Sequence, residues 1–242
     1  MNSRFVVCAL LALGSVGCGD SSSAEPPGRP ATPGCVAPAG VSNAPRNIAD
    51  TVTLLNALPK PLTLSCFLES LARPLGLRAN NSLFSAQPGV GLRSPRIFVF
   101  EEQMVMSVVP AGTGAALLEF GEQRPDYRSL KAELTFPLLG QLATSTPFES
   151  PMANNDHGTS CAGCHAAEGI DPSVPEGHGF VSQALRPASS DRVSLASLVH
   201  ENEICDRSLE AERCALLDGL FGWGSVIDQD FPIQMSTFGG NQ

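Results

Sequence analysis

"SLKAELTF", Ser129–Phe136, alternates without a break: Leu130, Ala132, Leu134 and Phe136 point one way, Ser129, Lys131, Glu133 and Thr135 the other. Side chains along a strand alternate between faces with period two, so the stretch predicts a β-strand with one face buried. Upstream, RIFVF (96–100) and MVMSVV (104–109) are β-rich and separated by Glu101, Glu102 and Gln103, which predicts a hairpin. GAALLEFGE (114–122) fills the interval before Ser129. Residues 82–138 therefore read as an antiparallel meander of four or five strands. Met104 and Met106 alternate within it and read as core packing rather than as ligands.

Helical signals flank the meander. NIADTVTLLNAL (47–58) spaces its apolar residues for a short helix that Pro59 and Pro61 end, and LSCFLESLARPL (64–75) suits another turn or two. After Thr144 the chain loosens into STPFESPMANNDHGTS (145–160), and residues 166–190 also read as loop. DRVSLASLVHEN (191–202) and SLEAERCALLDGLFGWG (208–224) predict two more helices, with Asp191 and Ser208 as their caps and Gly222 and Gly224 ending the second. The expected fold class is α+β: an antiparallel β-meander domain over 47–145, then a helical, loop-rich region over 146–242.

The first residues, MNSRFVVCALLALGSVGCGDSSS, place Arg4 before an apolar run from Phe5 to Gly14. That run is shorter than the roughly 20 residues a membrane-spanning helix needs. Small residues lead into Cys18. The segment resembles a bacterial lipoprotein signal, which implies removal of residues 1–17, lipid on Cys18 and attachment at the periplasmic side of the cell envelope; ordinary secretion is the alternative. Residues 18–46, rich in Ser, Pro, Gly and Ala, read as a tether. The 242-residue chain has 15 Lys and Arg against 24 Asp and Glu, a formal charge of −9. Nucleic acid, whose phosphates call for basic groups, is a poor partner for it; a basic protein is a better one.

Export makes the eight cysteines informative. Cys8 leaves with the signal and Cys18 takes lipid. Within TSCAGCHAAEG (159–169), Cys161, Cys164 and His165 form the Cys-x-x-Cys-His pattern of covalent haem attachment. Two thiols one turn apart reach the two vinyl groups on one porphyrin edge, and the next imidazole lies under the iron. Cys35, Cys66, Cys205 and Cys214 remain for two disulfides in an oxidising compartment, with three pairings open. Cys35–Cys66 with Cys205–Cys214 is favoured because each pair lies within one segment. Competing readings of the motif are a zinc site that adds His157 or His165, a Cys161–Cys164 disulfide, and a thioredoxin-like redox pair.

Over residues 150–242 at most, the chain resembles the c-type cytochromes. The resemblance implies one covalent haem c, thioether links at Cys161 and Cys164, His165 as the proximal ligand and a downstream methionine as the sixth. FPIQMSTFGG (231–240) offers Met235 for that place; His157, His178, His200 and Met152 are its rivals, with His200 read as a half-buried helical histidine. The family also implies a helix before the motif, where this chain has a Pro/Asn/Gly loop. The function expected is single-electron transfer by a lipid-anchored protein, more a carrier than an enzyme, handing electrons to a redox partner protein. The alternatives are a haem-based sensor or binding module of the cell envelope and a haem-free structural lipoprotein stabilised by disulfides. No Ser/His/Asp set, Gly-rich phosphate loop or paired metal-binding carboxylates stand out.

Overall fold

The computed structural model describes residues 34–152, 158–174 and 179–239. Its helices begin where side chains can satisfy their first amide groups. Helix α1 (Ile48–Ala57) starts at Asn47, whose side chain accepts from Asp50 N at 2.7 Å, and α2 (Leu64–Ser70) starts at Thr63, whose hydroxyl accepts from Cys66 N at 3.2 Å. Strands β1 (Leu75–Asn80), β2 (Ser82–Leu83) and β3 (Gly89–Val90) follow. The expected meander then appears as β4 (Arg96–Glu101), β5 (Met104–Val108), β6 (Leu117–Arg124) and β7 (Arg128–Thr135). Beyond it come α3 (Thr146–Glu149), β8 (Gly169–Ile170), β9 (Phe180–Gln183), β10 (Leu185–Arg186), β11 (Arg192–Val193), α4 (Leu195–Glu203), α5 (Ala211–Phe221), β12 (Val226–Asp228) and β13 (Ser236–Thr237).

Among the described residues nine strands form one sheet in the order β11-β1-β4-β5-β6-β7-β9-β8, with β12 also on β1. Every pairing in it is antiparallel except β1 with β12. The chain is thus a mixed helix-and-sheet protein built on a large antiparallel sheet. The helical, loop-rich region expected after residue 145 is not found as such: β8, β9, β11 and β12 carry that part of the chain into the same sheet as the meander. They are two to four residues long and owe their extension to the strands they pair with, so periodicity could not announce them. Helix α4 is capped by Ser194 rather than Asp191. Ser208 does not cap α5, because its amide and hydroxyl both donate to Asp206 Oδ1 and the helix begins at Ala211.

One face of the sheet is apolar and packs on helices. Leu77, Val99, Met106, Phe120 and Ala132 form a row across it, all buried, and Met104 is buried beneath α1, where Thr51 Oγ1 lies 3.6 Å from its sulfur. Phe67 of α2 stacks on Phe136 with centroids 6.4 Å apart. Helix α5 lies close against α2; a Cβ on Gly219 would meet the Ser65 carbonyl oxygen at 2.7 Å. Disulfides join Cys35 to Cys66 and Cys205 to Cys214. The described part of the expected tether, from Gly34, lies on the body: Cys35 and Pro45 are buried and Asn43 O accepts from Ala72 N at 2.8 Å. Among the described residues no helix is long and apolar enough to cross a membrane. Cys18 and the signal segment lie outside the described residues.

The second face is also covered. Ser129 and Lys131, on the polar side of the β7 alternation, are buried, Glu133 is half-buried and only Thr135 is exposed. Arg78, Phe98, Ser107, Glu119 and Glu133 form one row on this face, and Phe100, Val105, Gly121, Lys131 and Phe180 the next. The segment after β12 closes over it, with the Phe231 ring edge-on to Phe98 at 5.0 Å and to Phe100 at 4.9 Å. A sheet buried on both sides leaves its helix face as the main core. Phe67→Ala, a truncation within that core, is expected to lower the unfolding free energy by about 3–5 kcal/mol in a urea titration.

Candidate functional site

The polar side of the sheet floors a cleft of about 120 Å3, open at its mouth, whose lining includes Cys161, Cys164, His165 and Met235. Positions distant in the chain therefore meet in one cavity. Aromatic rings of Phe98, Phe231 and Phe238 supply apolar wall, while Arg96, Ser107, Glu119 and Lys131 supply a polar floor. Arg96 is held there by an ion pair with Glu119 and by a hydrogen bond from Nη2 to Ser107 Oγ at 2.8 Å.

The Cys-x-x-Cys-His stretch is a single tight turn (Ser160–Gly163 in 3₁₀ geometry). Thr159 starts it: its hydroxyl accepts from Cys161 N at 3.1 Å, while the Glu168 carboxylate receives both Thr159 N, at 2.8 Å, and the hydroxyl proton. Cys161 O then accepts from Cys164 N at 3.0 Å and from His165 N at 2.9 Å. Cys161, Cys164 and His165 all line the one cleft. Cys161 is half-buried, Cys164 is exposed, and both are free thiols; the disulfide reading of this pair is not what the fold adopts. Ala167, at φ 57°, turns the chain back, and Arg128 Nη2 secures that turn through Ala167 O at 2.8 Å.

The imidazole of His165 is fixed by β9. Its Nδ1 lies 2.8 Å from the Gln183 carbonyl oxygen, which can only accept, so Nδ1 carries the proton and Nε2 keeps its lone pair. That is the tautomer a metal-binding histidine needs. Burial, reinforced by the Lys131 ammonium, pushes the imidazole pKa down to about 4. Burial also lowers Lys131 to about 8 and raises the Cys161 thiol.

Met235, buried to 3% exposure, is brought to the same cleft by the parallel pairing of β13 with β10, Ser236 opposite Leu185. Arg186 Nε donates to Met235 O at 2.9 Å, and Gln183 Nε2 donates to Ser236 Oγ at 2.9 Å. Gln183 thus contacts His165 through its backbone and the neighbour of Met235 through its side chain. The rivals of Met235 lie elsewhere. His200 is exposed on α4, 3.8 Å from the Glu203 carboxylate, and not in a half-buried position; it follows the exposed side of that helix while Leu198 turns inward. Met152 is half-buried outside the cleft lining, and His157 and His178 lie outside the described residues. Among the described residues no three His, Cys, Asp or Glu side chains converge as a metal-holding set, whereas haem iron asks the protein for one or two axial donors only.

The residues present fit a covalently held haem: two free thiols on one turn, an imidazole with Nδ1–H engaged, a buried thioether and aromatic walls. Sequence patterns did not point to Lys131, Arg96, Gln183 or the Phe98–Phe231 contact, because no motif marks a strand's polar side as the floor of a cleft. No protein-family model, curated protein or solved structure matches this chain.

An unfolded imidazole takes a proton near pH 6.5, the folded one of His165 only near 4. In haem-free protein its contribution to stability is therefore complete above about 6.5 and is lost as pH falls towards about 4. His165→Gln is expected to flatten the fall of Tm across that window; an unchanged slope would show that the ring titrates normally.

Proposed function

We propose that this chain is an exported, lipid-anchored monohaem c-type cytochrome-like protein that passes single electrons to a protein partner. The observation that supports the reading best is the convergence of Cys161, Cys164, His165 and Met235 on one cleft, although Met235 lies 70 residues beyond His165 in sequence. Iron in a haem c, when bound, alternates between ferric and ferrous and so supplies a one-electron couple. Cys161 and Cys164 would hold the haem covalently through thioethers, and His165 Nε2 would be a ligand to its iron. Met235 would supply a sulfur ligand, and histidine with methionine is a combination that raises the reduction potential. Phe98, Phe231 and Phe238 line the cavity with apolar surface. The negative charge of the chain suits a basic partner, and Cys18 would carry the lipid.

Intact mass and an optical spectrum test the reading. Protein from a host competent in c-type haem maturation is expected to carry about 616 Da of added mass and to be coloured, with both lost in Cys161→Ala/Cys164→Ala. Wild-type protein from that host at its bare polypeptide mass removes the proposal. Met235→Ala is expected to let the reduced protein bind carbon monoxide, which the wild type should resist; rapid binding by the wild type would take Met235 out of the ligand set.

A further inference from the structure

We infer that Lys131 is a positioning residue that acts through His165 to raise the reduction potential of this site, as a cation set behind the imidazole. The inference rests on the haem reading above.

Lys131 lies on β7 with Gly121 and Phe180 beside it on neighbouring strands, so it rises from the cleft floor. It is 8% exposed. Its Nζ donates to Ser129 Oγ at 2.7 Å and belongs to none of the ion pairs among the described residues. Glu119 and Glu168 act on it only at longer range, and Arg96 adds a further positive charge nearby. A buried cation without a carboxylate partner is costly, because burial removes hydration that nothing replaces. The surplus positive field therefore persists in the cleft, where water and salt screen it little.

The field falls on His165. Nζ is 3.4 Å from Nδ1. Since Nδ1–H donates to Gln183 O, it has no lone pair to offer, and the ammonium and the imidazole meet as two donors rather than as a hydrogen-bonded pair. A carbonyl or carboxylate behind a ligating imidazole makes the ring a stronger electron donor. An ammonium there opposes that donation. It also acts on the couple directly: when the site takes up one electron its total charge falls by one, and a neighbouring positive charge favours the reduced state. Both effects have the same sign.

The experiment is a potentiometric titration of haem-loaded wild-type protein, Lys131→Met, Lys131→Gln and Lys131→Arg, each checked first by mass and Soret absorption. The two neutral variants should shift the midpoint potential in the negative direction, and Lys131→Arg should stay near the wild type. Lys131→Gln, which can keep the bond to Ser129, serves where Lys131→Met does not accumulate. A wild-type midpoint in a neutral variant, or an equal shift in the Met and Arg variants, overturns the inference. So does a result in which only the charged variants load haem, since the charge would then serve folding. A wild-type protein without haem is a different outcome: it removes the functional reading itself before any potential is measured.

Discussion

The carbonyl oxygen of Gln183 is the fixed point of the cleft. It sits at the end of β9, whose register on β7 sets Gln183 opposite Arg128, and Ala184 N donates to Tyr127 O at 2.8 Å directly after it. Gln183 N donates to Ala166 O at 2.9 Å, so the residue after His165 is tied to the same strand end. A carbonyl held this rigidly at 2.8 Å from Nδ1 decides both the ring's orientation and its tautomer. The Gln183 side chain reaches Ser236, beside Met235. One residue thereby relates two parts of the chain that carry chemistry and are far apart in sequence. Moving β9 by one residue would turn its side chains to the opposite faces and release both contacts.

The cleft exists because the second face of the sheet is buried and yet not apolar. Lys131, Arg96 and Ser107 occupy positions that a sheet sandwiched only for stability would fill with aliphatic side chains, and Gln87 is buried against them from the segment before β3. Most of the floor is satisfied internally: Ser107 donates to Gln87 Oε1 at 3.0 Å, and Gln87 Nε2 donates to Leu117 O at 2.7 Å. Lys131 has a hydroxyl as its close acceptor and a pKa drawn down to about 8 by burial. Groups placed against their own solvation preference mark positions where packing was not the sole constraint. The core on the other face, with Leu54, Leu55, Phe67 and Met106 all fully enclosed, provides the stability that such a floor withholds.

The same division between an apolar and a polar face governs how much of the fold and site is legible in the amino-acid sequence. The alternation of Ser129–Phe136 correctly separates a buried side from a polar one, but a polar residue reads alike whether it meets water or a covered cavity. Lys131 is therefore legible as a strand position and illegible as a cleft residue. Strand β1 hides for a related cause: LGLRAN contains Gly76, Asn80 and a central arginine, all unfavourable signals, while every one of its residues is buried between β4, β11 and β12. The Cys161–His165 spacing can be read because the turn is local; Thr159 and Cys161 accept its hydrogen bonds from residues close by in the chain. The approach of Met235 depends on a two-residue pairing with β10 and on Phe231, which are tertiary events without a periodic trace.

The two sides of the candidate ligand set are held with unequal strength. His165 lies in a turn closed by Thr159, Glu168, Arg128 and Gln183, so several hydrogen bonds must break together to displace it. Met235 lies in a segment whose regular pairing is Leu185–Arg186 with Ser236–Thr237, supplemented by Arg186 Nε on Met235 O, by Phe238 N on Arg186 O and by the Phe231 wedge. Ile233 in that segment is 78% exposed, so little apolar burial anchors its middle. Elements with few buried contacts open at lower free energy than a core. In the proposed reading the imidazole side is thus the permanent attachment, reinforced by two covalent links, and the thioether side is the one whose hold is set by packing. The Phe98–Phe100–Phe231 cluster then has a defined part: by closing the segment onto the sheet, it keeps a sulfur donor in a cavity that solvent would otherwise enter.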